Sequence, residues 1–168
     1  MQKSPTYQCY VGSVGWEHPA WMEAFYPEDL PPDWRLTFYN NYFSCVYLPY
    51  AEWSCHTPDE LLAWCNDVMA HFRFVLEINP NGMDSADKEK LAALSPHLGL
   101  LVDSAGRVAP ENGLKGEIVW VAPQPDYKEL AQLIKTSTRQ GVQVFLISRE
   151  HDLKVMHEAQ RLLEIMGV

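Results

Sequence analysis

Three short runs in the second half of the chain, residues 98–102, 118–121 and 142–147, are rich in Val, Ile and Leu and nearly lack in–out alternation. Strands of this kind are buried on both faces, which is the pattern of parallel sheets covered by helices. Parallel neighbours need a crossover connection, ordinarily a helix packed on the sheet. This feature therefore predicts an α/β chain in which strands and helices alternate.

The rest of the sequence supplies that alternation. Residues 8–14 form a first apolar run stopped by Gly15, and 45–48 a second stopped by Pro49. Residues 72–78 form a third strand, giving about six in all. An aromatic helix is predicted over 34–43 with Asp33 as its cap. Thr57-Pro58-Asp59-Glu60 is a strong helix start: Thr57 can cap, Pro58 suits the first turn, and Glu60 closes a capping box. Asp126-Tyr127-Lys128-Glu129 repeats the pattern, opening a helix that runs to Gly141. A polar helix over 85–95 and a last helix over 152–166 complete the set, with a turn-rich stretch at 104–116. No repeat, low-complexity tract or composition break divides residues 1–168, so one domain is expected.

Composition excludes several function classes. The 168 residues carry 13 Lys+Arg against 22 Asp+Glu, a formal charge of −9. Residues 1–84 hold three basic and eleven acidic side chains; residues 85–168 hold ten and eleven. An acidic half repels phosphate, so nucleic acid and anionic membrane surfaces are disfavoured partners. No apolar run reaches the roughly 20 residues that a membrane helix requires. The N-terminus shows no apolar leader, and a cytoplasmic location is expected. Cys9, Cys45, Cys55 and Cys65 form no C-x-x-C pair and read as reduced thiols. His151 and His157 are six apart, off a shared helical face, so no metal site is expected. Gly12-Ser13-Val14-Gly15-Trp16-Glu17 lacks the spacing of a dinucleotide fingerprint, and no phosphate-binding P-loop occurs. No cofactor is assigned.

Val11-Gly12-Ser13-Val14-Gly15-Trp16-Glu17-His18-Pro19-Ala20-Trp21, then Phe25-Tyr26-Pro27 and Leu30-Pro31, form an unusual segment. With the aromatic stretch Trp34 to Phe43, it resembles the opening of the YecE-like family, domain-of-unknown-function family 72. The register continues through Val46, Thr57-Pro58, Trp64 and Phe72-Arg73-Phe74. The resemblance implies a parallel β/α barrel of the TIM-barrel type. Such barrels need at least about 200 residues, so a shortened or incomplete barrel of about six strands is expected here. The resemblance implies no established reaction. Four of the family's polar positions are replaced, by Val14, Tyr47, Pro49 and Glu77; the last stands where the family usually shows Lys.

Barrel sites are built at the C-terminal ends of strands, which directs attention to the polar residues there. Glu77 and Asp103, with His18, are candidates for acid/base work if burial drives their pKa values apart. Trp16 and Tyr50 offer ring faces for a ligand, and Arg149 a fork for an anion. Each has a structural alternative: Glu77 in an ion pair, Asp103-Ser104 in a turn, His18 packed in the aromatic loop. Five of the six Trp fall at or before residue 64; they can form a ligand platform, or simply pack a long loop. Three readings stay open. The first is small-molecule or partner binding at the barrel mouth, with the family's usual polar residues lost. The others are an acid/base or metal-assisted enzyme on a small polar substrate, and a structural homo-oligomer.

Overall fold

The computed structural model describes residues 8–109 and 115–168. The N-terminal stretch read for a leader and part of the turn-rich stretch, 110–114, lie outside the described residues. Six strands form one sheet: β1 Cys9–Val14, β2 Cys45–Leu48, β3 Arg73–Glu77, β4 Leu98–Val102, β5 Gly116–Trp120 and β6 Gln143–Ser148. Their order is β4-β3-β2-β1-β6-β5, and every neighbouring pair is parallel. Six helices accompany them: α1 Arg35–Asn40, α2 Tyr50–Ser54, α3 Pro58–Asp67, α4 Ser85–Leu94, α5 Tyr127–Arg139 and α6 Leu153–Met166. The sheet curls, and the architecture is that of a shortened TIM-like barrel. Among the described residues, no helix is long and apolar enough to cross a membrane.

Local chemistry explains most element starts. Thr57 and Glu60 make the reciprocal capping box at the head of α3. Asp126 accepts from the backbone N–H groups of Lys128 and Glu129 to open α5. Asp84 and Asp87 form a further capping box at α4. The predicted Asp33 cap is corrected: Asp33 lies inside a 3₁₀ turn, Pro32–Trp34, and α1 begins after it without a side-chain cap. The short helix α2 was not anticipated, because five residues carry too little periodicity to be read.

Two apolar layers sandwich the sheet, and alternation along each strand feeds both. One side carries Val11, Val46, Leu48, Phe74, Leu76, Leu101, Val144 and Leu146 against the helices. The inside of the curl holds Tyr10, Cys45, Val75, Leu100, Phe145 and Ile147. Tyr10 and Phe145 stack there at 4.8 Å. Burying each such side chain contributes about 1.5–3 kcal/mol. The sheet edges β4 and β5 approach across this interior. A Cβ on Gly116 would meet Leu100 Cδ2 at 2.5 Å, and one on Gly99 would meet the Phe145 ring at 2.9 Å. Glycine at both places lets the curl tighten around its own side chains, so six strands enclose a filled interior.

Candidate functional site

Two groups of polar side chains stand at the C-terminal ends of the strands. The first lies inside the curl. Strand pairing sets Tyr47 beside Val14 and Val75, and Glu77 beside Val102. The Tyr47 hydroxyl donates to Glu77 Oε2 at 2.8 Å. Burial first, then the Glu77 carboxylate, raises the phenol well above its ordinary range, so Tyr47 keeps its proton as the donor. The Tyr47 ring meets Trp120 edge to face at 5.3 Å. The guanidinium carbon of Arg149 sits 3.8 Å above the Trp120 ring, a cation–π contact.

Asp103 opens a tight turn beside this group. It accepts from the backbone N–H of Ala105 and Arg107, at 2.9 and 3.0 Å, and from Arg107 Nε at 2.9 Å. These donors hold its carboxyl below the usual range. The turn leans on Trp120, since a Cβ on Gly106 would lie 2.9 Å from that ring. Phenol, indole, guanidinium and turn thus close the interior of the curl, and Glu77 and Arg149 have partners inside the chain.

The second group surrounds a cleft of about 400 Å³ at the ends of β1 and β2. Gly15 forms its floor; the residue has φ +70, and its N–H donates to the Tyr47 carbonyl at 2.9 Å. From there the chain climbs through Trp16, Glu17 and His18 to form one wall. The opposite wall comes from α2, α3 and the turn between them, with Glu52, Cys55, His56 and Trp64. The Trp16 and Trp64 rings meet edge to face at 5.0 Å, and His56 packs on Trp64 at 4.7 Å. The Tyr26 hydroxyl donates to the Trp16 carbonyl and holds this wall in place. Glu17 pairs with Arg35 at 3.1 Å.

Glu52 and His18 face each other over the cleft floor. A Cβ on Gly15 would lie 3.5 Å from Glu52 Oε2 and 3.7 Å from His18 Cε1, so glycine leaves the space between them open. Burial raises the Glu52 carboxyl above its ordinary value. Burial, and then the positive charge of His151, push His18 down to about 4. Its ring stacks on His151 with centroids 3.2 Å apart and an interplanar angle of 19°. Groups whose surroundings push them in opposite senses across one cleft have the makings of a proton donor and a proton acceptor.

The sequence-derived candidates therefore divide. Glu77, Asp103 and Arg149 gather at the closed interior. Trp16 and His18 line the cleft. Tyr50 joins neither: its hydroxyl donates to Asp87 Oδ1 at 2.8 Å and accepts from Asn79 Nδ2 at 3.1 Å, tying the exit of β3 to α4. Sequence reasoning named Trp64 only as one of five tryptophans of a possible ligand platform, did not single out His56, and passed over Glu52 in choosing candidates. Their one local signal is the acidic first turn after Pro49; the facing of α2 and α3 toward β1 is tertiary. Among the described residues, no group of three or more His, Cys, Asp or Glu could hold a metal ion.

Comparison with known proteins bears on the fold and the family. No curated protein matches the chain. The structure is similar to the crystal structure of a DUF72 family protein (TM1631) from Thermotoga maritima MSB8. The TM-score is 0.56 at 11% identity, over 96% of this chain and 98% of that one. Residues 10–90, which carry β1 to β3 and both walls of the cleft, match the family described as Protein of unknown function DUF72. The chain is thus similar to DUF72 proteins in sequence over residues 10–90 and in fold over nearly its whole length.

Proposed function

We propose that this protein binds a small organic molecule in the cleft between the Trp16–His18 loop and helices α2 and α3. The observation that carries the reading is the cleft itself: about 400 Å³, walled by Trp16 and Trp64, with His18 and Glu52 opposed across its floor. Concave sites with apolar walls and a few converging polar groups are the usual form of small-molecule sites. No Lys or Arg lines the cleft, whereas Glu17 and Glu52 do. An uncharged or cationic ligand with a flat face suits these walls, through stacking and cation–π contact. The residues inside the curl, Glu77 and Arg149 among them, serve to close the interior. On this reading the whole chain, 1–168, works as one cytoplasmic domain without nucleic acid.

A thermal-shift screen against a metabolite library tests this. A ligand at 100 times its Kd adds about 2.7 kcal/mol, which raises Tm by about 5–10 °C in a chain of this size. The shift should vanish in Glu52→Gln and Trp64→Ala and survive in Arg149→Gln. A shift lost in Arg149→Gln and kept in both cleft variants would move the site inside the curl.

The opposed behaviour of Glu52 and His18 favours acid/base chemistry as the second reading, in the same cleft. Turnover of a bound ligand that is abolished by His18→Gln while the thermal shift persists would establish it. Binding without turnover would leave the first.

A further inference from the structure

His18 and His151 come from opposite ends of the chain. β1 and β6 are neighbours in the sheet, so the loop leaving β1 and the turn leaving β6 emerge side by side. The two imidazoles lie nearly parallel, 3.2 Å apart. Trp21 stands edge-on to both, at 4.5 Å from His18 and 6.2 Å from His151. Its indole N–H donates to the His151 carbonyl at 2.9 Å. His151 is held at φ +55, a left-handed conformation uncommon for a non-glycine residue. His18 Nε2 lies 3.3 Å from the Gly15 carbonyl. The contact therefore joins the cleft wall that carries Trp16 and His18 to the β6 exit.

The charges around the pair do little to offset a charge on it. On the β1 loop, Glu17 is engaged by Arg35 of α1. From α2, Glu52 approaches His18 across Gly15, and burial favours its protonated form. On the β6 side, Arg149 lies on Trp120, Glu150 is exposed, and Asp152 caps α6 by accepting from Val155 N–H. Among the described residues, neither ring takes part in an ion pair. Two imidazolium rings at this separation repel strongly, because charges in a half-buried setting are poorly screened. Burial lowers both rings from the ordinary histidine value against the Val14 carbonyl, which favours the charged form of each, and the charge of His151 lowers His18 further, to about 4.

We propose that the His18–His151 stack is a proton-operated latch on the cleft. With no more than one proton on the pair, the rings stay stacked and the Trp16–His18 wall is held. A second proton drives the rings apart, releases the Trp21 indole from His151 and loosens the wall. The latch is a regulation of the cleft reading above and takes its functional meaning from it, but its mechanics involve no ligand.

The test is an NMR titration of the full chain from pH 8 to pH 2.5, following the imidazole Cε1–H signals and the Trp21 indole N–H. In the wild type, His18 should titrate with a midpoint near 4, and the Trp21 indole signal should move with it. In His151→Phe the ring contact remains but the second charge cannot form. There the His18 midpoint should rise and the Trp21 transition should disappear. His18→Phe should likewise hold the indole signal constant. A Trp21 transition that persists in both variants overturns the latch, as does an indole signal indifferent to His18 protonation. Far-UV circular dichroism collapsing over the same pH range in all three proteins also overturns it, since the event is then global unfolding. A failed metabolite screen would sink the cleft reading while leaving these signals as they are.

Discussion

Replacing Tyr39 by Phe removes one oxygen, yet the structure gives that oxygen an unusual place. Gly15 N–H donates to the Tyr47 carbonyl. Two residues back on each strand, the same ladder would join Ser13 N–H to the Cys45 carbonyl. The Tyr39 hydroxyl stands between them. It accepts from Ser13 N–H at 3.0 Å and donates to the Cys45 carbonyl at 2.7 Å. Ser13 Oγ spends its own proton on the Gly15 carbonyl at 2.6 Å, so it cannot replace the lost donor. Tyr39 is 0% exposed, so the groups left behind are cut off from bulk solvent. The substitution strands one donor and one acceptor between β1 and β2. At about 1–3 kcal/mol for each of the two unsatisfied buried groups, the expected loss is about 2–6 kcal/mol. That is a large share of the roughly 5–15 kcal/mol available to a domain, and it lowers Tm by about 4–24 °C. Urea unfolding followed by tryptophan fluorescence should show a lower midpoint at unchanged slope. Tyr42→Phe, with the parent side chain 44% exposed, is the control and should shift nothing. A loss below about 0.5 kcal/mol, within the range of ordinary surface substitutions, would refute the reasoning. It would mean that β1 and β2 close up and form the direct bond that the hydroxyl now replaces.

Three further outcomes are expected. Gly12→Ala should prevent folding, because its Cβ would overlap the Cys45 carbonyl oxygen and lie 2.6 Å from the carbonyl carbon; soluble expression with a wild-type Tm would contradict this. Under native conditions an aromatic disulfide reagent should react rapidly with Cys55 alone, since Cys9, Cys45 and Cys65 are buried and burial raises their thiols, Cys9 to about 11; fast release of more than one equivalent would be the contrary result. Stability should be greatest near neutral pH and fall with acid. His18 titrates at about 4 when folded against an ordinary 6.5, so the unfolded chain binds more protons between those values and stability drops across that window, levelling off below it. His151→Phe should flatten this slope, and urea midpoints at pH 7, 5.5 and 4.5 would measure it.

Much of the fold was legible because its causes are local. The capping box at Thr57 and Glu60 lies within four residues, and it stands in the structure as read. The doubly buried strands announced a parallel sheet, and all six strands stand within two residues of their predicted ends. The misreading at Asp33 was local as well. Pro31 and Pro32 promote a 3₁₀ turn there, and that turn takes up the residue that would otherwise have capped α1.

The site was legible only in part. Residue type and strand ends directed attention to Glu77, Asp103, Arg149, Trp16 and His18. Nothing in the chain's order said that the first three would be engaged at a filled interior while the last two lined an open cleft. That division depends on how tightly the sheet curls, which Gly99 and Gly116 allow by letting β4 and β5 approach. The Tyr39 bridge between β1 and β2 and the His18–His151 stack join residues that only the sheet order brings together. The amino-acid sequence by itself determined strands, helices and an acidic, family-typical N-terminal half, because hydrogen bonding and periodicity act over a few residues. Tertiary structure alone decided which polar groups meet, because ring stacking and buried hydrogen bonds act over a few ångströms between segments far apart in the chain.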